Sequence, residues 1–214
     1  MDLELTLGAV ERLVLRGELE RAADLYVTLN DRWPLREIPI FEDVLARDPE
    51  SHVHYWLRSA LEWHAGLDDA ARDDLVRALL VSPDEDFLHR SLDVQRELEG
   101  EVPVTSWLFH ALAAVTARIE GGPDEERHEV LAALRLAPDE TALHVSLARL
   151  EQGTSSWLEI VSLEQALERA SGWTDGRLRL LRAYRVLGET LLAETVLLEL
   201  RQLRSFTGPR DVAA

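Results

Sequence analysis

Seven histidines are the side chains best placed to bind a metal or move a proton near neutral pH, and their spacing supports neither role. His52 and His54 are two residues apart on a helical stretch and face different sides, and His64 turns away again. No His-Glu-x-x-His occurs and no two histidines stand at i, i+4. His89, His110, His128 and His144 fall singly in separate predicted helices, as surface or core histidines do. Acidic pairs supply the residue type for general acid–base catalysis, but nothing marks one pair as special. Gly-x-Ser-x-Gly, Gly-x-Gly-x-x-Gly and a phosphate-binding loop are all missing. With no cysteine, thiolate zinc sites, disulfides and thiol nucleophiles drop out as well. The expectation is a non-enzyme with no metal and no cofactor.

Arginine remains as the distinctive chemical group. All 23 basic residues are arginine, set against 40 Asp and Glu, for a net charge of −17 and a pI near 4.8. A GC-rich genome accounts for arginine in place of lysine. Selection for forked anion contacts, or an acidic halophile, are the other readings. Such acidity argues against nucleic acid and against anionic membrane surfaces. No apolar run approaches the ~20 residues of a membrane span, and the N-terminus Met1-Asp-Leu-Glu-Leu has no basic region of a signal peptide. A cytoplasmic location is expected.

A recurring spacing organises the elements. Gly17 is followed seventeen residues on by Pro34, Gly66 by Pro83 and Gly121 by Pro138. Glycine ends a helix in the left-handed conformation and proline cannot continue one, so each pair brackets a helix. Helical spacing predicts about twelve helices and no strand, at roughly 2–15, 18–31, 40–47, 50–65, 68–81, 84–99, 104–120, 124–136, 140–152, 156–170, 175–187 and 189–204. Residues 1–206 read as one helical domain, and 207–214 as a frayed tail. Ser82-Pro83-Asp84-Glu85, Asp48-Pro49-Glu50 and Ser156-Trp-Leu-Glu159 read as helix starts, with Ser82, Asp48 and Ser156 as caps. Asp68-Asp69, Asp84 to Asp86 and Asp124 to Glu126 fall in first turns, where the helix dipole favours negative charge. The brackets fall on the second, fifth and eighth helices, a stride that breaks a strict two-helix alternation.

The segment from Gly66 to Pro83, with Ala71, Leu75 and Ala78 between, resembles the second helix of a tetratricopeptide repeat. The stretch from His52 to Ala65 resembles the first, with Tyr55 at its aromatic position and Ser59 at its small one. Pro49 and Pro83 are 34 residues apart, the family period. The resemblance is good over one repeat and partial over three or four. It implies an all-α, right-handed superhelix of stacked antiparallel helix pairs, and a concave face supplied by the first helix of each pair. Counted from Gly66, that face takes Val53, Trp56, Ala60 and Trp63. From Gly121 it takes Leu108, Ala111, Val115 and Arg118. From Gly188 it takes Asp175, Leu178, Arg182 and Arg185, and Pro138 places Arg149 there. Packing between helices is the alternative for Trp56 and Trp63, and a solvated face is the alternative for the arginines.

The expected function is a non-catalytic protein–protein interaction scaffold that binds a peptide or partner protein in this groove. Aromatic anchors would lie at one end and arginines at the other. A sensory or regulatory module for a small ligand is the alternative, and an α/α-barrel hydrolase is third. The chaperone-tail type of repeat is disfavoured, since its Lys/Asn/Arg cradle has no lysine here and Asn30 is the only asparagine.

Overall fold

The computed structural model describes residues 38–152 and 157–206, together with positions 9, 12, 13, 21, 22 and 25. The predicted helices at 2–15 and 18–31, the Gly17–Pro34 bracket, the Ser156 cap and the tail from Thr207 lie wholly or largely outside the described residues. Within them the protein forms eleven helices and no strand. These are α1 (Ile38–Leu45), α2 (His52–His64), α3 (Asp68–Val81), α4 (Glu85–Arg90), α5 (Leu92–Glu101), α6 (Trp107–Ile119), α7 (Pro123–Leu136), α8 (Thr141–Leu150), α9 (Trp157–Arg169), α10 (Thr174–Val186) and α11 (Thr190–Phe206). Sequence neighbours pack as pairs: α2 with α3, α6 with α7, α8 with α9 and α10 with α11.

Three glycines make turns that create these pairs. Gly66, Gly121 and Gly188 have φ of 73°, 77° and 80°, the left-handed region that a Cβ disfavours. Each closes the same pair of hydrogen bonds. After α2, Gly66 N donates to Trp63 O and Leu67 N to Glu62 O. After α6, Gly121 N donates to Arg118 O and Gly122 N to Ala117 O; after α10, Gly188 N donates to Arg185 O and Glu189 N to Tyr184 O. This cap satisfies carbonyls that the helix end leaves open and reverses the backbone.

The predicted helix over 84–99 is two helices, α4 and α5, broken at Ser91, whose hydroxyl donates to Phe87 O. Counted as two helices, they lengthen the stride from the Gly66 bracket to the Gly121 bracket from three helices to four, which restores the alternation there. Two caps also differ from expectation. Asp84, not Ser82, caps α4 by accepting from Phe87 N, while Ser82 Oγ accepts from Asp84 N. Helix α2 starts after Ser51 rather than Asp48, and the Ser51 hydroxyl makes no cap bond. The first-turn acids of α3 and α7 stand as expected.

Small residues set the closest crossings. Ala71 and Ala78 are completely buried, and Ser59 Oγ donates to Ala71 O at 2.7 Å, a distance that leaves no room for a larger group between α2 and α3. Ala78→Leu should therefore cost about 1–3 kcal/mol through overpacking. Urea unfolding reads this directly, and an unchanged midpoint would contradict the packing. One continuous core runs from Leu45 to Leu200. A smaller one joins Phe41, Val53, Leu57 and Leu61 to Ala22, with Leu13, Leu25, Trp56 and Ala60 against it.

The backbone also returns on itself. Gly172 N, in the α9–α10 turn, donates to Ala46 O in the α1–α2 turn at 3.1 Å. A Cβ on Gly172 would lie 2.7 Å from Arg47 Cγ, so the approach depends on glycine. Helix α3 touches both α6 and α8.

Candidate functional site

The expected inner face divides into a buried part and an open part. Val53 is buried in the smaller core, with Trp56 and Ala60 packed against it, so the aromatic end is largely packing. Trp63 alone of that set is exposed, at 65%. Leu108, Ala111 and Val115 are core residues of α6, and Val115 has no exposed surface, so it cannot contact a partner. Large apolar residues on the inner side of a tightly packed pair are needed for the core before they are free for a ligand.

Two of the expected groove arginines hold the fold together. The guanidinium of Arg118 reaches back to the end of α3, where Nη2 donates to Leu80 O at 2.8 Å and Nη1 to Ser82 O at 3.0 Å. Its Nε donates to Glu126 at 2.6 Å. Arg149 donates to Glu126 at 3.0 Å and to Ser146 Oγ at 3.1 Å, with longer contacts to Leu80 and Val81 carbonyls. Two cations thus sit on the negative end of the α3 dipole and share one buried carboxylate. Burial first, then the neighbouring Arg118 charge, pulls Arg149 down to about 10, so it stays charged at neutral pH. Arg118, expected in the groove, thus caps the end of α3.

Arg149 has a second side. It lines a cleft of about 360 Å³ together with Asp175, Leu178, Arg179 and Arg182 of α10, Val145 and Gln152, Glu50 from the α1–α2 turn, and Val81 and Pro83. The register thus brings Arg149, Leu178, Asp175 and Arg182 to one place. Arg185 is exposed but does not line this cleft. Sequence reasoning missed Arg179 and Glu50. Arg179 precedes Arg182 by three residues, which puts both on one helix face and was the available signal. Glu50 arrives only through the return of the backbone, which no local pattern encodes. Arg179 Nη1 donates to Glu50 at 2.7 Å, and its guanidinium lies over the Trp173 ring at 5.8 Å. Burial raises the Glu50 carboxyl, and Arg179 opposes the rise.

A second ionic cluster lies between α2 and α3. Arg58 grips Asp74 with Nε and Nη2, and Arg77 bridges Asp74 and Glu140 at 2.8 Å each. Glu62 is buried beside them; desolvation, then the Asp74 charge, pushes it up to about 7. A cleft of about 430 Å³ reaches Arg58, Arg77 and Glu140 but is not lined by Glu62. The histidines are dispersed: His52 packs at a tilt against Phe87, His144 Nε2 meets Pro138 O at 2.7 Å, and His110 Nδ1 meets Glu129 at 2.7 Å. Among the described residues no group of three or more His, Asp or Glu could hold a metal ion, and no helix is long and apolar enough to cross a membrane.

No protein-family model matches this sequence, and no curated protein matches it either. The tetratricopeptide likeness therefore rests on the motif residues alone: Gly66, Ala71, Ala78 and Pro83, with Tyr55 and Ser59 on the preceding helix. What the cleft can do chemically follows from its side groups. Three guanidiniums and two carboxylates line it, an excess of one positive charge in a protein of net charge −17. Such a place attracts an anionic group while the surface around it repels bulk anions.

Proposed function

We propose that this protein is a non-catalytic protein-interaction scaffold of tetratricopeptide-like architecture, a right-handed superhelix of helix pairs. It binds an acidic segment of a partner polypeptide at the Arg149–Arg179–Arg182 cleft. The single observation that carries this reading is that Arg149, Asp175, Leu178 and Arg182, chosen by repeat register alone, line one cleft. Val81, Val145 and Leu178 supply apolar wall, and the arginines orient charge, the division of labour of a peptide groove. The net charge disfavours nucleic acid as the partner, and a cysteine-free composition fits the cytoplasm.

A second reading, a regulatory module for a small anionic ligand, is favoured by one feature. Glu50 comes from the α1–α2 turn, so the protein itself narrows one side of the cleft. Crosslinking and pull-down with mass spectrometry will identify a polypeptide partner, and its binding to variants discriminates the cleft. Arg182→Ala should weaken binding about tenfold, equivalent to about 1.4 kcal/mol, with a larger effect at low salt. Arg185→Ala should weaken it much less. Equal affinity of the Arg182→Ala,Arg185→Ala protein and the parent would leave this arginine face merely solvated.

A further inference from the structure

We propose that Arg179 is the anchor of the cleft and takes a carboxylate through its Nε–Nη2 edge. This rests on the reading of the cleft as a recognition site and names the group recognised there. Arg179 spends only one nitrogen on the protein, Nη1, which donates to Glu50. Its Nε and Nη2 are buried and have no hydrogen-bond partner. Those two N–H groups form the side-on fork of a guanidinium. Arg58 shows the same fork in use, where Nε and Nη2 grip the two oxygens of Asp74. Buried donors in folded proteins are almost always paired, so an unpartnered fork beside a cleft marks the place of an acceptor.

The neighbourhood holds this guanidinium in position. Trp173 is fully buried and lies beneath it. The ring can lie against α10 because residue 176 is glycine; a Cβ there would come within 2.1 Å of the ring. Glu50 fixes the opposite corner. The free edge is shielded by its neighbours, so a carboxylate that reaches it is partly desolvated. The acceptor is a planar monoanion rather than a phosphate. Glu50 and Asp175 line the same cleft and repel a dianion, while a carboxylate matches the two donors of one edge. Either an Asp or Glu of the partner or the terminal carboxylate of a polypeptide supplies this group.

The test uses the full-length protein with ¹⁵N-labelled arginine. The Arg179 Nε–H resonance is identified in the parent by its nuclear Overhauser contacts to the Trp173 ring, and its loss in Arg179→Lys checks the assignment. Sodium acetate is titrated at constant ionic strength, with inorganic phosphate in parallel. The expected result is a saturable acetate shift at Arg179, larger than at exposed Arg185, with weaker binding of phosphate. Glu50→Gln removes a competing charge and should tighten acetate binding about fivefold, whereas Arg179→Lys should abolish saturation. Circular dichroism checks that both variants fold; if either does not, the titration of the parent protein decides alone. An Arg179 shift no larger than that of Arg185, or tighter binding of phosphate than acetate, overturns the proposal. Its failure is separable from failure of the scaffold reading. Saturable acetate binding without any polypeptide partner sinks only the latter, and partner binding that Arg179→Lys leaves unchanged sinks only the former.

Discussion

Arg118→Ala should destabilise the fold by about 3–5 kcal/mol, the loss typical of removing one partner from a buried ionic cluster. The substitution removes direct donors to the Leu80 and Ser82 carbonyls at the end of α3 and strips Glu126, only 5% exposed, of one of its two cations. The remaining cation, Arg149, contacts Glu126 at 3.0 Å, so the carboxylate keeps half its compensation. Pairing Arg118→Met with Glu126→Gln should recover much of the loss, because no charge is then buried with too few partners. Urea titrations of these variants give the comparison. A loss below about 1 kcal/mol for Arg118→Ala would contradict the capping role.

The second large effect is on pH dependence. The folded pKa of Glu62 is raised from 4.5 to about 7, with Asp74, Arg58 and Arg77 as the charged groups around it. Between these values the folded protein holds a proton that the unfolded one has released. The contribution of Glu62 therefore falls as pH rises from about 4.5 to about 7 and is flat above, a loss on the order of 1–3 kcal/mol after solvent screening. His52 slopes the other way. Its burial lowers the folded pKa below 6.5, so its contribution is present above that pH and is lost as pH falls through the folded value. Glu62→Gln isolates the first slope from the second. The variant should be more stable than the parent at pH 8 by about 1–3 kcal/mol, with the advantage shrinking toward pH 5. Equal urea midpoints at pH 8 would show that ionised Glu62 costs the fold nothing.

Local physics made much of this fold readable. Helix α3 over 68–81 follows from a turn glycine before it and a proline after it, and the burial of Ala71 and Ala78 follows from their spacing. The break at Ser91 was invisible, because the apolar rhythm continues through it and the interruption lies in the backbone of Ser91, at φ −91° and ψ 2°. The site was half legible. Register placed Arg149 and Arg182 on one face, yet the same register put Arg118 there, where distant carbonyls claim it. Val115 had the right position but no surface. Glu50 and Arg179 meet across 129 residues, and no periodicity reports a contact of that span.

The hydrogen bond from Gly172 to Ala46 makes the stretch between them sensitive to insertion. A ladder of helix pairs open at both ends tolerates an added or deleted rung, since each rung meets only its neighbours. Here an extra pair between α7 and α8 would carry the later turn away from the earlier one, and with it Arg179 away from Glu50. The separation of these two turns is thereby set by a closing contact, and the cleft depends on it.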